Sequence, residues 1–401
     1  MQNHYEIIDN STRQQQSVEA ITDYAVDPHL AEEHDIVLLV KWDDQRQRDD
    51  GIREFARQHP LHSTRTEAGP GPRRQLGYFG GYIVRASLAQ DSLTIDTTVS
   101  EPVVRPMGMD VAADGRTVYA LGNELRLRAA PESGLLSQTF WQPQFARLHS
   151  AVFDERQKRL LTSSASLDML YEIDCVSGKV AWSMDLWEET PFNTNDRGQS
   201  FFRKPVKAEG DYVMNPSSAA LENDPTLVAA ACVIDDPEAY DRLGLKTALV
   251  PVFINSIDYE NDRTLLATSY GRGEAWRIHR DSGQIEVVAK NLARPHGFHK
   301  KDSDGGYLVS DTRNERVLFL DEDFKREHVV DLSDAEYRKP GLENHKWLQY
   351  TSELADNTYC AVMSSRQTLI LFNPVERVRR TVRFDPDWGV QTVFAAQSLP
   401  H

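Results

Sequence analysis

ARPHGFHKKDSDGGYLVSD, residues 293–311, is the stretch on which the fold turns. It passes from a Pro-terminated loop through a His-Gly step and a polar turn at 302–306 into the apolar run 307–309. The same grammar appears at 104–120 (VRPMGMDVAADGRTVYA), and looser copies start at Ala146 (ARLHSAVFDERQKRLLTSS) and Phe253 (FINSIDYENDRTLLATS). Aligned, the copies set Met107, His149, Asn255 and His296 at one recurring position, with His345 near the equivalent point of a fifth copy. Self-similarity at this period is the mark of a repeat architecture.

Outward from these copies, short strands run from Tyr78 onward with turn signals at the roughly 8–12-residue spacing of an all-β repeat. Groups of four strands begin near Met107, His149, Ile254, His296 and Trp347, in the ~40–50-residue range of propeller blades. Strands at 81–88, 92–99 and 390–395 are left over. They complete one more blade if the C-terminal strand joins N-terminal ones, which removes the open edges of a linear stack. The expected fold is an all-β, six-bladed β-propeller over residues 76–401, with seven blades as the alternative.

Two regions depart from the rhythm. Residues 1–75 read as a mixed α/β extension, with a helix at 11–24, a buried strand at 35–42, a charged helix at 44–58 and a linker, GPGPRR, at 69–74. Residues 188–249 insert roughly 60 residues rich in Asn, Asp, Pro and Ala, a length uncommon for a loop without a role of its own. The insertion links an outer strand to the next inner strand, so it is expected to roof the central mouth as a lid. The alternative is a structural flap over one blade.

The 401 residues hold 40% hydrophobic and 26% charged side chains, an ordinary globular composition with a sizeable core. Their 45 basic and 61 acidic residues give −16, which argues against nucleic acid or an anionic membrane as partner. Cys175, Cys232 and Cys360 are far apart with no CxxC spacing, so buried thiols in a reducing compartment are expected. The N-terminal residues lack a basic region followed by an apolar one, and the apolar run 36–40 is far too short to span a bilayer. These features together imply a cytoplasmic protein.

The two best copies, VRPMGMDVAADGRTVYA and ARPHGFHKKDSDGGYLVSDTRNERVLFLDED, resemble the propellers of the SMP-30/gluconolactonase, strictosidine-synthase-like and NHL group. Blades of that group read Pro-Asn-Gly or Pro-His-Gly, a turn with Asp-Gly, then Tyr-Val-x-Asp-(Ser/Thr). The segment Ser177-Gly178-Lys179…Trp182 is also similar to the Gly-Lys-x-x-Trp turn of PQQ-type propeller repeats. The resemblance covers roughly residues 103–384 and speaks for the fold, since one fold hosts many functions. It implies a divalent cation held on the axis by Glu, Asn and Asp, as in the lactonases. Here the Pro-Asn-Gly asparagine falls on Met107 or His296, so that ligand pattern is absent, and Asn255 is the candidate to stand in. The departure favours a His-rich site over a standard gluconolactonase.

Three imidazoles with an open position make a catalytic metal site, and only a closed radial fold would bring His149, His296 and His345 together. These three are the expected catalytic residues and metal ligands, with Asn255 and Glu343 as further ligands or partners, around a divalent ion (Zn, Fe, Mn or Ca). His299, three residues past His296, is expected on the opposite strand face. Arg105, Arg147 and Arg294 each lie two residues before a recurring position and so share its face in an extended chain. They are candidate anchors for a small anionic substrate, with salt bridges to turn aspartates as the alternative. Tyr270, Arg272 and Trp276 are further pocket candidates. No GxSxG elbow, P-loop, HExxH helix or Rossmann fingerprint is present.

These residues imply a metal-dependent hydrolase or lyase acting on a small polar, anionic molecule at the mouth. The alternatives are a metal-free His acid/base enzyme of arylsulfotransferase or lyase type, a His-ligated iron oxygenase, and a non-catalytic binding scaffold. Composition gives no indication of oligomeric state.

Overall fold

A computed structural model describes residues 7–9, 18–32, 34–42, 80–88, 192–194, 201–203 and 229–231, together with two long stretches. These are 93–188, interrupted at 105, 113–115, 123, 129–137, 143–144 and 146, and 250–396, interrupted at 334–345, 356 and 386–387.

Five sheets, each built on an antiparallel run of four consecutive strands, follow one another in chain order. Blade 1 comprises Gly108–Val111, Thr117–Ala120, Leu125–Arg128 and Gln138–Phe140. Blade 2 comprises Leu148–Asp154, Arg159–Ser164, Met169–Asp174 and Val180–Asp185. Blade 3 is built from Ile254–Tyr259, Thr264–Ser269, Glu274–His279 and Ile285–Ala289. Blade 4 takes His296–Lys300, Tyr307–Asp311, Arg316–Leu320 and Arg326–Asp331, and blade 5 takes Leu348–Ala355, Thr358–Met363, Thr368–Asn373 and Val378–Arg383. The sixth blade closes the ring, with Trp388–Ala395 innermost, then Asp35–Trp42, Gly80–Leu88 and Leu93–Val104. The first strand of each of blades 1 to 5 and Trp388–Ala395 touch one another in sequence, and these six inner strands enclose the axis.

The six-bladed expectation holds, and so does the closure through Trp388–Ala395. Two details differ from the sequence reading. Asp35–Trp42 is a strand as expected, but it lies inside the closing blade, paired Trp42 to Trp388. Over the expected helix at 11–24, Val18–Ala20 is a strand and Ile21–Asp23 a single 3-10 turn. Ile7–Asp9, Val18–Ala20 and Ala25–Val26 add parallel fifth strands to the outer edges of blades 3, 4 and 5. The described part of residues 1–75 therefore belongs to the propeller sheets, where it covers edges that would otherwise present unpaired backbone. The helix expected at 44–58 and the linker at 69–74 lie outside the described residues.

The core is distributed as one apolar cluster per blade interface. Between blades 1 and 2 lie Val118, Leu127, Phe153 and Ile173; between 2 and 3, Leu161, Leu170, Trp276 and Ile278; between 3 and 4, Leu266, Val288, Phe298 and Leu318. Leu308, Phe319, Tyr359 and Phe372 join blades 4 and 5, and Leu38, Val84, Val362 and Leu371 join 5 and 6. Val37, Leu39, Met109 and Tyr119 close the circle. Each such side chain contributes roughly 1.5–3 kcal/mol when fully buried.

Buried ions lock neighbouring blades in register. Glu172, fully buried, accepts from Arg159 (2.6 Å), from Arg280 (2.7 Å) and from the Tyr259 hydroxyl (2.9 Å), which ties blade 2 to blade 3. Glu315 receives Arg366 at 2.7 Å between blades 4 and 5. Asp168 accepts the Val252 and Phe253 N–H groups at 3.0 and 2.6 Å and thereby sets the start of blade 3. Cys175 and Cys360 are buried free thiols, as expected. No helix among the described residues is long and apolar enough to cross a membrane.

Candidate active site at the propeller mouth

The ladder between the inner strand and its neighbour slips at the start of five blades. The shifts fall between Leu148 and Ala151, Ile254 and Ser256, His296 and Phe298, Leu348 and Tyr350, and Val390 and Thr392. A bulge leaves one extra residue unpaired and re-aims its side chain. The slips bracket His149, Asn255, Gly297, Gln349 and Gln391, and all five line one axial cavity of about 120 Å³. Met107, from blade 1, lines it too. Nothing in the sequence marks Gln349 and Gln391, because glutamine carries no chemical signature and the bulge is not a composition signal.

His149 and His296 converge there, with ring centroids 6.2 Å apart. His149 Nδ1 donates to the Asn255 carbonyl at 3.1 Å. His296 Nδ1 lies 3.1 Å from the Arg294 carbonyl and 2.8 Å from the Thr312 hydroxyl. A carbonyl only accepts, so these partners select the Nδ1–H tautomer in both rings and leave each Nε2 with its lone pair. Burial is the main reason both rings resist protonation, holding His149 near about 3 and His296 near about 4. The mutual repulsion of the two rings and the positive charge of Lys41 push His149 further down, and Lys41 acts on His296 as well. Lys41, on the second strand of the closing blade, is thus a cation close enough to act on both rings, from a segment that the sequence reads as an extension.

The remaining expected residues divide. Asn255 sits at the mouth, 3% exposed, with its amide committed: Nδ2 donates to the Pro295 carbonyl at 2.9 Å and Oδ1 accepts from Thr268 at 2.7 Å. It braces blade 3 to blade 4. Arg147 lies close enough to His149 to oppose its protonation. Arg294 instead donates to the carbonyls of Tyr270 (3.1 Å) and Gly271 (3.4 Å) and covers the Tyr270 ring at 4.8 Å. Tyr270 and Trp347 both meet the His296 ring edge to face, at 5.7 and 5.5 Å. Arg272 is paired with Glu274 at 3.0 Å and lies over Phe192, so it is occupied in blade 3. Trp276 is buried core between blades 2 and 3. Arg105, Glu343 and His345 lie outside the described residues, as do most of the residues of the expected lid at 188–249. Within that insertion, Phe192 packs at 5.1 Å against Trp276.

His299 corrects a sequence expectation. Strand alternation assigns it to the face opposite His296, yet both line the cavity. Gly297 is the reason: as the extra residue it shifts the alternation by one, so His296 pairs with Ser310 and His299 with Leu308, two ladder positions on. Gly297 has φ +70°, and a Cβ there would meet the Tyr350 ring at 3.0 Å. Below the mouth the cavity wall is formed by Asp110, Asp258, His299, Tyr350 and Thr392. Burial and the Asp110 charge raise Asp258 to about 8.

Among the described residues no group of three or more His, Cys, Asp or Glu is arranged to hold a metal ion. Among the described residues the donor set at the mouth is two imidazoles, on which the positive charges of Lys41 and Arg147 act. What the arrangement offers chemically is a pair of neutral bases within reach of two positive charges.

No family model matches the chain. No curated protein sequence matches it. Solved structures similar to it include a Bacteroides caccae protein of unknown function, at 10% identity and TM-score 0.47, over 78% of this chain and 94% of that one. A chain of a nidogen/laminin complex aligns at 10% identity and TM-score 0.48, covering 90% of this chain and 99% of that one. Virginiamycin B lyase from Staphylococcus aureus aligns at 9% identity and TM-score 0.42, over 74% of this chain and 73% of that one.

Proposed function

We propose that this propeller is a hydrolase- or lyase-type enzyme that takes a small anionic substrate at its mouth and moves protons through His149 and His296. The observation that carries this reading is the convergence of a buried and a half-buried imidazole, each held as the Nδ1–H tautomer, beside Lys41 and Arg147. An imidazole near about 4 is too weak a base to work at neutral pH by itself. One negative charge about 4 Å away contributes roughly 4 kcal/mol at an effective dielectric of about 20. That is about a thousandfold in proton affinity, enough to lift His296 from about 4 toward neutrality. An anionic substrate thus tunes the groups that act on it, which a neutral substrate does not.

The test is a histidine-ring NMR titration of the intact chain with propionate, sulfate and phosphate. Without ligand, both rings are expected to stay neutral down to about pH 4, and an added anion is expected to raise their titration. Rings that titrate near the ordinary value of about 6.5 and ignore all three anions would refute the reading. Anionic esters, lactones and elimination substrates then report turnover, which His296→Gln should abolish.

A second reading keeps a divalent ion. It is favoured by the Nδ1 anchoring, the arrangement that ligating histidines use to present Nε2. An ion held by those two atoms would supply Lewis-acid polarisation. Elemental analysis separates the two: metal retained through dialysis and lost in both His149→Gln and His296→Gln supports the ion.

A further inference from the structure

The cavity does not end at the two imidazoles. Asp110 pairs with Val118, and Asp258 with Leu266, two and three ladder positions past the start of their strands. At strand rise this floor lies roughly 7–10 Å below the mouth. The two carboxylates come from blades 1 and 3 yet face each other closely enough to interact, and the Tyr350 hydroxyl feels both. Asp110 accepts the Phe153 and Val111 N–H groups, and Asp258 accepts that of Tyr259. Asp302 adds a further negative charge acting on Asp258.

Two polar side chains at this level are unsatisfied. Both ring nitrogens of His299 are buried without a hydrogen-bond partner, although the ring stacks on Tyr350 at 5.4 Å. The Thr392 hydroxyl, on a residue 8% exposed, is buried and equally unpartnered. Buried polar groups left unmade cost about 1–3 kcal/mol each, so two on one cavity wall mark a place built for a ligand.

We propose that Asp110, Asp258, His299, Tyr350 and Thr392 form a subsite for an ammonium group, so that the substrate is a zwitterion with its anionic end at the rim. The inference rests on the reading of the mouth given above and adds the second end of the molecule. An ammonium group has three N–H donors. An ammonium group here displaces to solvent the proton that Asp258 holds up to about 8, and the resulting carboxylate, the lone pair of neutral His299 and the Thr392 oxygen are its three acceptors. The charges acting at the two levels agree: Lys41 and Arg147 act on His149 at the mouth, and Asp110 and Asp302 act on Asp258 at the floor. At about 120 Å³ the cavity is slightly smaller than one that holds benzene, so it suits a compact amino acid rather than a peptide or a sugar chain.

Isothermal titration of the intact chain tests this with propionate, propylammonium and the ω-aminocarboxylates from glycine to 6-aminohexanoate. At least one aminocarboxylate is expected to bind tenfold or more tightly than propionate or propylammonium. Asp258→Asn should remove that gain, and Thr392→Val should reduce it; circular dichroism confirms that each variant is folded. Aminocarboxylates that bind no better than propionate, or a gain that survives Asp258→Asn, overturn the subsite while leaving the anionic mouth standing. Failure of propionate and of every aminocarboxylate overturns both. Ammonium or potassium chloride binding as tightly as the best aminocarboxylate would mark an inorganic cation site and overturn the zwitterion.

Discussion

Asp258→Asn separates charge from shape on the channel floor, and its effect on stability has a defined sign. In the folded chain Asp258 holds its proton up to about 8, because burial and the Asp110 carboxylate outweigh the hydrogen bond from the Tyr259 N–H. In the unfolded chain the same carboxyl ionises near its ordinary value, about 3.9. Between those limits the folded protein carries a proton that the unfolded chain has lost, so stability falls as pH rises through the window. For one proton the slope is at most about 1.4 kcal/mol per pH unit. Asparagine has the shape of the protonated acid and no slope of its own. Asp258→Asn should therefore gain on the wild type from pH 5 to 8, by at most about 4 kcal/mol in total, and the gain should level off above pH 8. Urea unfolding of both proteins at unit pH steps measures it. A difference that is flat across pH 5–8, or that shrinks as pH rises, would show that Asp258 is ionised in the fold and that the floor is not a low-dielectric site.

Two further outcomes test how the site is held. Gly297→Ala places a Cβ 3.0 Å from the Tyr350 ring at φ +70°, and the left-handed backbone alone costs about 1–2 kcal/mol; a lower urea midpoint with an altered near-ultraviolet Tyr signal is expected, and an unchanged midpoint would contradict the bulge. Glu172→Gln leaves Arg280 and Arg159 facing a neutral amide between blades 2 and 3. Breaking a buried pair costs about 3–5 kcal/mol, and the 31% exposure of the Arg159 side chain moves the expectation to about 2–3 kcal/mol by urea unfolding. A loss under about 0.5 kcal/mol would show that the brace is ornamental.

The repeat at 293–311 and its copies suffices for the propeller, because each copy has an apolar face that only a neighbouring copy can cover. It also marks His149 and His296, since a strand start recurs in every blade and imidazoles are conspicuous there. Asp35–Trp42 was legible as a strand but not as part of the closing blade, because its partner Trp388–Ala395 lies at the other end of the chain. Local propensity carries no information about a pairing that only ring closure enforces. The same limit hid the floor. Asp110, Asp258, His299 and Thr392 belong to four different blades and become one cavity wall only when the circle closes. Period-two alternation puts His299 on the opposite face because it assumes an unbroken ladder, and the extra residue at Gly297 breaks it. Sequence alone determined which residues recur at the blade starts, since periodicity is a local property of the chain. Which of them meet, and at what depth, was decided by bulge register and radial closure, both set by contacts between residues far apart in sequence.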